Sequence, residues 1–307
     1  MKHSTLSNLT LLDGGIGREL KRIGAPFSQP LWSAQALLEA PNFVTQAHQN
    51  FIEAGAEIIT VNSYACVPFH LGEELYKEQG AALAEQAAVI AREVANKASE
   101  NVQVAGALPP PLGSYRPDLF EQHKALDILT TLYNAQDEYV DLWIAETIAS
   151  INEARSIIHV LKDSTKPCYY AFTLNDEIGE TATLRSGESV SDAIETLLKE
   201  AHLREEIDGI FFNCSIPEVM KQAILDTKSV LEKHTKTLNI GAYANSFKPI
   251  VQGHEANLNI QGSRDLSPKE YLDYAKEWHK LGANIIGGCC GIEPSHIKAL
   301  QEWKQKL

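Results

Sequence analysis

Residues 268–291 read PKEYLDYAKEWHKLGANIIGGCCG, and this stretch decides the fold. Apolar residues recur at helical spacing up to Leu281, and Ser267 before Pro268 gives a capping hydroxyl followed by proline at the first helical position. A short apolar strand, Asn284–Ile286, comes next, and a turn rich in glycine and cysteine follows it. A helix that returns directly to a buried strand is the repeating unit of α/β proteins.

The same alternation of strand-like and helix-like segments extends outward over the whole chain. The predicted strands are Leu9–Leu12, Glu57–Val61, Val102–Ala107, Leu142–Ala145, Cys168–Thr173, Gly209–Phe212, Leu238–Tyr243 and Asn284–Ile286. The predicted helices are Ala34–Ala54, Gly80–Ala98, Leu126–Val140, Asn152–Leu161, Val190–Arg204, Pro217–His234, Pro268–Leu281 and Pro294–Lys306. Eight strand–helix repeats are the number that closes a parallel barrel. We therefore predict the α/β class, with one (β/α)₈ TIM barrel domain over residues 1–307; a large open α/β sheet is the alternative.

Composition and charge limit the classes of function. A net charge of −13 argues against a nucleic-acid or anionic-membrane partner, because both need basic surface. No apolar run is long enough to span a membrane, and the polar N-terminus does not resemble a signal peptide. Five cysteines in 307 residues are too few for a disulfide scaffold. We expect a cytoplasmic protein, and the sequence gives no oligomeric state.

Polar side chains and cysteines concentrate directly after five of the predicted strands. These segments are Asp13-Gly14-Gly15, Asn62-Ser63-Tyr64, Glu146-Thr147, Asn213-Cys214-Ser215 and Gly287-Gly288-Cys289-Cys290-Gly291. The C-terminal ends of barrel strands meet at one mouth, which is where the active sites of such barrels lie. The pattern therefore predicts one functional pocket at this end.

Three of the cysteines are candidates for a metal site. Cys214 follows the sixth strand, and the adjacent Cys289 and Cys290 follow the eighth, so a closed barrel can bring all three to one point. Three thiolates suit zinc and leave one tetrahedral position open. The alternative for the adjacent pair is two small buried apolar residues. Cys66 and Cys168 lie on other strands, and we interpret them as structural.

Such a site favours chemistry on a thiol. Three anionic ligands weaken the acidifying power of zinc toward water, whereas an arriving thiol can lose its proton on binding and stay nucleophilic. Two carboxylates at the same mouth, Asp13 and Glu146, could hold an α-ammonium group of an amino acid whose thiol reaches the metal. The alternative is that each carboxylate caps a neighbouring helix.

These motifs together resemble the homocysteine S-methyltransferase family, and the resemblance covers nearly the whole chain. It implies a zinc ion bound by Cys214, Cys289 and Cys290, with the sulfur of homocysteine at the fourth position. It implies that Asp13, backbone groups near Gly14, and Glu146 hold the amino-acid portion of homocysteine. The pocket positions of the family match Asn62, Ser63, Tyr64 and Asn213.

The methyl donor is the open part of this prediction. The segment Leu31-Trp32-Ser33 resembles the branch that uses a sulfonium donor, S-methylmethionine or S-adenosylmethionine. The loops at 108–118 and 245–249 depart from the pattern of that branch, and Tyr115 and Arg116 in the first loop are candidates for a lid. Two alternatives remain: a related zinc barrel that methylates another thiol or selenol or demethylates a sulfonium or betaine-type compound, and a non-enzymatic zinc or thiol sensor.

Overall fold

In the part of the chain that the structure describes, one sheet of eight parallel strands forms the centre of the protein. The structure is a computed structural model that describes residues 9–200, 207–251, 253, 254, 256 and 261–307. The strands are β1 (Thr10–Leu11), β2 (Ile58–Thr60), β3 (Gln103–Leu108), β4 (Leu142–Ile148), β5 (Cys168–Phe172), β6 (Gly209–Asn213), β7 (Asn239–Tyr243) and β8 (Ile285–Ile286). Their spatial order is β1-β8-β7-β6-β5-β4-β3-β2, so every predicted strand is confirmed.

The sheet closes where β1 meets β2. Leu12 pairs with Ile58 in parallel fashion, the Glu57 N–H donates to the Leu11 carbonyl at 2.8 Å, and the Asp13 N–H donates to the Ile58 carbonyl at 3.0 Å. An open sheet would leave both edge strands without such partners. The predicted (β/α)₈ barrel is therefore confirmed, and the open-sheet alternative is wrong.

Helices cover the outside of the barrel. They are α1 (Ile16–Arg22), α2 (Ala34–Glu39), α3 (Pro41–Glu53), α4 (Pro68–Leu71), α5 (Glu73–Lys97), α6 (Gln122–Gln136), α7 (Ile151–Leu161), α8 (Val190–Glu200), α9 (Pro217–Lys233), α10 (Pro268–Leu281) and α11 (Pro294–Lys304). Single 3₁₀ turns occupy Pro117–Leu119 and Asp137–Tyr139. In the described part of the chain, no helix has both the length and the apolarity needed to cross a bilayer.

One predicted helix is in fact two. The segment Ala34–Ala54 breaks at Ala40, whose φ of −154° and ψ of 63° lie outside the helical region, and α3 starts at Pro41. Proline disfavours the helical conformation of the residue before it and lacks the N–H that a continuous helix needs. The last residues of the predicted helix Val190–Arg204 lie outside the described residues.

The interior of the barrel is packed with side chains. Leu142, Ile144 and Phe211 belong to this inner cluster, and the Tyr169 ring stacks on Phe211 with centroids 4.6 Å apart. A second, larger apolar cluster fills the layer between the strands and the surrounding helices. This arrangement places the functional groups at the C-terminal ends of the strands, as in other barrels of this class.

Candidate active site

A cavity opens at the C-terminal ends of the strands, and its wall contains most of the residues that the sequence selected. Those in the wall are Asp13, Gly14, Tyr64, Glu146, Asn213, Cys214, Cys289 and Cys290. They come from the ends of β1, β2, β4, β6 and β8, which are distant in sequence. The barrel topology alone brings them together.

The three cysteines converge on one side of this cavity. Their Sγ atoms all lie within 4.8 Å of one another. Cys214 and Cys289 are joined by a disulfide with Cα atoms 5.6 Å apart, and Cys290 is a free thiol. Burial raises the pKa of the Cys290 thiol to about 11, although Arg18 acts in the opposite direction.

The end of β7 fixes the turn that carries the paired cysteines. The Cys289 N–H donates to the Ala244 carbonyl at 2.8 Å, and the Ser246 N–H donates to the Cys290 carbonyl at 2.9 Å. Gly291 ends the turn with a φ of +83°, and a Cβ there would collide with the Ser246 hydroxyl. Only glycine meets both conditions, so this position of the Gly-Gly-Cys-Cys-Gly motif has a steric cause.

Asp13 is buried at the end of β1 and held by a single neighbour. Its Oδ2 accepts from the Thr60 N–H at 2.7 Å, and its Oδ1 accepts from the Thr60 hydroxyl at 3.1 Å. Burial raises the pKa of Asp13 to about 7, against the lowering effect of these two bonds. The helix α1 begins after Gly15 without a side-chain cap, so the capping interpretation of Asp13 is wrong.

Glu146 lies in the cavity wall where β4 becomes irregular. The register of β4 against β5 shifts between Ala145 and Ile148, and such a bulge redirects the side chains beside it. Burial raises the pKa of Glu146 to about 8, and the charge of Asp13 adds to this effect. Within the described part of the chain its carboxylate accepts no hydrogen bond, and α7 is capped by Ser150. The capping interpretation of Glu146 is therefore also wrong.

Polar pairs complete the wall between the acids and the cysteines. Asn213 pairs with Thr147, which has a left-handed φ of +58°, and the Tyr64 hydroxyl lies 2.7 Å from the Ser114 hydroxyl. Burial raises the pKa of Tyr64, so this phenol stays protonated near neutral pH. These groups are available as hydrogen-bonding partners but not as bases.

Two residues predicted for the pocket lie behind its wall. The Asn62 amide donates to the Ser33 carbonyl at 3.3 Å. The Ser63 hydroxyl donates to the Gln136 side chain at 3.0 Å, and Gln136 in turn bonds the backbone of Ala107 on β3. Both side chains support the strand end rather than line the cavity.

Sequence reasoning did not select several aromatic residues that line the cavity. They include Tyr243, Phe247 and His254, and the wall also contains Trp32 and Tyr115, which the sequence analysis named. The guanidinium carbon of Arg18 lies 5.4 Å from the centroid of the Phe247 ring, and that of Arg185 lies 5.3 Å from the centroid of the Tyr115 ring. Arg116, the other candidate for a lid, pairs with Asp118 at 2.7 Å and is not part of the wall. The only signal in the sequence for Tyr243, Phe247 and His254 was their position at or after the end of β7.

The comparison with known families decides the class of protein. The family profile described as Homocysteine S-methyltransferase matches residues 10–303. The chain belongs to this family. As a member of the homocysteine S-methyltransferases it is a methyltransferase, so the non-enzymatic sensor considered above loses its support.

Relatives named as methyltransferases match over nearly their full length. Homocysteine S-methyltransferase 1 of Brassica oleracea var. italica is 28% identical over 314 aligned residues, which cover 94% of this chain and 91% of the relative. The selenocysteine methyltransferase of Astragalus bisulcatus is 26% identical, with 94% and 90% covered.

Solved structures support the same fold. The homocysteine methyltransferase MmuM of Escherichia coli in its metallated form superimposes with a TM-score of 0.76 at 24% identity, covering 97% of this chain and 96% of that one. Its oxidized form gives a TM-score of 0.75 at 23% identity, with 96% of each chain covered.

The three cysteines of this homocysteine S-methyltransferase fit a zinc ion. Among the described residues no fourth histidine, cysteine, aspartate or glutamate joins their cluster, so the set offers three soft ligands and one open position. Zinc binds thiolates, so the reduced form of Cys214 and Cys289 is the one that can hold it. Burial raises the pKa of Cys290 despite the opposing charge of Arg18, so a bound metal would supply the further positive charge that ionises this thiol.

Proposed function

We propose that the protein transfers a methyl group from a small sulfonium donor, such as S-methylmethionine or S-adenosylmethionine, to the sulfur of homocysteine, giving methionine. One observation carries the proposal: three cysteine sulfurs and the carboxylates of Asp13 and Glu146 share a single cavity at the barrel mouth. We assign residues 1–307 to one homocysteine-binding barrel domain. The cytoplasmic location stays a prediction.

We assign Cys214, Cys289 and Cys290 as the ligands of a zinc ion. Zinc held there would lower the pKa of an arriving thiol, which for a free thiol is about 8.5, and so keep the thiolate available at neutral pH. The cysteines lie in an apolar cluster with Phe247 and Ile250, which keeps water away from the reacting sulfur.

We assign the amino-acid end of homocysteine to the two carboxylates. Burial raises the pKa values of Asp13 and Glu146, and the charge of Asp13 raises that of Glu146 further. A cation between them would favour their ionised forms. The α-ammonium group of homocysteine is such a cation. Gly14 contributes backbone groups beside Asp13, and Tyr64 and Asn213 form the adjoining wall. Asn62 and Ser63 support this wall from behind.

The methyl transfer requires that the two substrates be held in the correct positions, and it requires no general base. The bond between the methyl carbon and the donor sulfur breaks as a new bond to the homocysteine sulfur forms. The electron pair of the broken bond stays on the donor sulfur, and no proton moves in this step. Holding both sulfur atoms in line on opposite sides of the methyl group is the main contribution that the cavity makes.

A second acceptor deserves a direct test. A relative over 94% of this chain is named a selenocysteine methyltransferase. A selenol would use the same cysteines and the same carboxylates, because selenocysteine is also an amino acid with an ionisable side chain.

The function is tested with isotopically labelled acceptor. The reduced, zinc-loaded protein is incubated with deuterated homocysteine and, in turn, S-methylmethionine, S-adenosylmethionine and betaine. We expect deuterated methionine, detected by mass spectrometry, with at least one sulfonium donor; deuterium separates it from methionine released by S-methylmethionine. Selenocysteine competes in a parallel reaction. A preference for selenocysteine, or no deuterated methionine with any donor, would contradict the homocysteine assignment.

A further inference from the structure

A buried ion pair between Arg185 and Asp176 lies behind the cavity wall. The Arg185 Nη2 lies 2.8 Å from the Asp176 Oδ2, and the two side chains are only 6% and 2% exposed. Both residues belong to the loop after β5. Burying two charges is costly, so such a pair is weak evidence for stability by itself. Its other contacts show what it does.

Asp176 ties three loops of the barrel mouth together. Its Oδ1 accepts from the Ile216 N–H at 3.0 Å, and its Oδ2 accepts from the Ile250 N–H at 2.8 Å. Ile216 follows Cys214 by two residues, and Ile250 follows Phe247 by three. Arg185 adds a bond from Nη1 to the Ile250 carbonyl at 3.2 Å. The ion pair therefore fixes backbone next to two groups of the cavity wall.

Arg185 also fixes a residue of the cavity wall directly. Its guanidinium carbon lies 5.3 Å from the centroid of the Tyr115 ring, within the range of a cation–π contact. Tyr115 has a φ of +65°, a conformation that residues with a side chain adopt only when their surroundings impose it. The stacked guanidinium is one part of the surroundings that impose it.

Tyr115 lies at the cysteine side of the cavity rather than at the carboxylate side. It belongs to one apolar cluster with Cys214, Phe247 and Ile250, against which Cys289 and Cys290 pack. The acceptor's ammonium group is assigned to Asp13 and Glu146, so the donor must use the space beside the cysteines. A sulfonium donor is a cation, and aromatic rings attract cations across their faces. Arg185 lies over the Tyr115 ring, and the same ring lines the cavity, where a donor can contact it.

Given the proposed function, we propose that Tyr115 contacts the methyl donor and that Arg185, held by Asp176, is a positioning residue that keeps the Tyr115 ring at the donor site. The bonds broken and formed in the transfer are unchanged by this assignment. The assignment predicts a selective effect: loss of the Tyr115 ring should weaken binding of the donor and leave binding of homocysteine unchanged.

The test compares Tyr115→Leu with Tyr115→Phe and with the double variant Arg185→Met/Asp176→Asn, which removes both buried charges together. Donor affinity is measured by calorimetry with S-methylmethionine and S-adenosylmethionine, each without homocysteine, and the KM of each substrate is measured separately. We expect Tyr115→Leu to raise the Kd and KM of the donor by about tenfold, the double variant to raise them by about fivefold, and Tyr115→Phe to stay within about twofold of the unaltered protein. The KM of homocysteine should stay within about twofold in all three.

Arg155→Met provides the matched control. Arg155 pairs with Glu200 at 2.8 Å on the outer helices, where the two side chains are 48% and 25% exposed, so the variant loses an arginine–carboxylate pair far from the cavity. It should change neither KM. The inference is overturned if Tyr115→Leu leaves the donor Kd unchanged or raises the KM of homocysteine as much as that of the donor. If thermal unfolding shows that the double variant does not fold, the comparison of Tyr115→Leu with Tyr115→Phe still tests the inference.

The inference and the proposed function fail in different ways. Absence of deuterated methionine with every donor overturns the function. Donor binding that Tyr115→Leu does not weaken overturns the inference alone.

Discussion

Asn213 and Thr147 share two hydrogen bonds across the barrel mouth. The Thr147 N–H donates to the Asn213 Oδ1 at 2.9 Å, and the Asn213 Nδ2 donates to the Thr147 Oγ1 at 3.0 Å. Their strands, β6 and β4, are not neighbours, because β5 lies between them. Asn213 precedes Cys214, and Thr147 follows Glu146. This pair therefore links the cysteine side of the cavity to its carboxylate side.

The Asn213–Thr147 link should be important for both stability and substrate binding. Asn213→Ala removes both hydrogen bonds that Asn213 makes to the buried Thr147, so we expect the free energy of unfolding to fall by about 2 kcal/mol. The KM of homocysteine should rise, because Glu146 loses its fixed position. Denaturant unfolding and steady-state kinetics measure the two effects, with the exposed Asn152→Ala as control. Unchanged stability in Asn213→Ala would show that the link is not needed.

The two carboxylates should bind homocysteine without affecting the donor. Asp13→Asn and Glu146→Gln each remove one negative charge while keeping the shape of the side chain. We expect each to raise the KM of homocysteine by about tenfold or more, since a hydrogen bond to a charged group contributes about 1.5–3 kcal/mol. The donor KM, measured at saturating homocysteine, should stay near that of the unaltered protein. An equal rise in the KM of homocysteine and of the donor would contradict the assignment of the two carboxylates to homocysteine alone.

Glu153 should make the protein less stable as the pH rises. Its carboxylate accepts from the Ala149 N–H at 2.7 Å, and burial raises its pKa from 4.5 to about 8. The folded state therefore holds this proton more tightly than the unfolded state, and stability is lost between about pH 4.5 and pH 8.

Glu153→Gln removes this dependence and can still accept the Ala149 bond. Its thermal midpoint, relative to the unaltered protein, should be higher at pH 8 than at pH 5. The exposed Glu302→Gln should show no such trend. A difference in midpoint that is the same at both pH values would contradict the raised pKa of Glu153.

Metal binding should depend on reduction of the Cys214–Cys289 disulfide. The oxidised protein offers one thiol, from Cys290, whereas the reduced protein offers three. We expect about one zinc per chain after reduction and almost none before it, because zinc requires thiolate ligands. Metal analysis of the desalted protein measures this, with Cys66→Ala, a buried cysteine outside the cluster, as control. One zinc per chain in the oxidised protein would show that Cys214, Cys289 and Cys290 are not the zinc ligands.

The sequence predicted the barrel and the convergence of the cysteines because both depend on topology. Parallel strands in a closed barrel end at one mouth, so residues directly after β6 and β8 meet whatever the details of their loops. The same reasoning selected Asp13 and Glu146. Their helix-capping alternatives failed because Asp13 bonds Thr60 and because Ser150 caps α7.

The finer features depend on local geometry that no periodicity encodes. The irregularity after Ala145 decides which way Glu146 and Thr147 face, and the left-handed backbone of Tyr115 places its ring in the cavity wall. The positions of Asn62 and Ser63 behind the wall follow from side-chain bonds to Ser33 and Gln136, which are distant in sequence.

The most direct test is X-ray absorption at the zinc edge of the reduced, zinc-loaded protein, recorded before and after homocysteine is added. Three protein sulfurs with one open position predict that the number of sulfur neighbours, at about 2.3 Å from zinc, rises from three to four. The same change should occur in Tyr115→Leu, since that residue is assigned to the donor. A spectrum that homocysteine leaves unchanged, or one that shows four sulfurs from the start, would contradict the account.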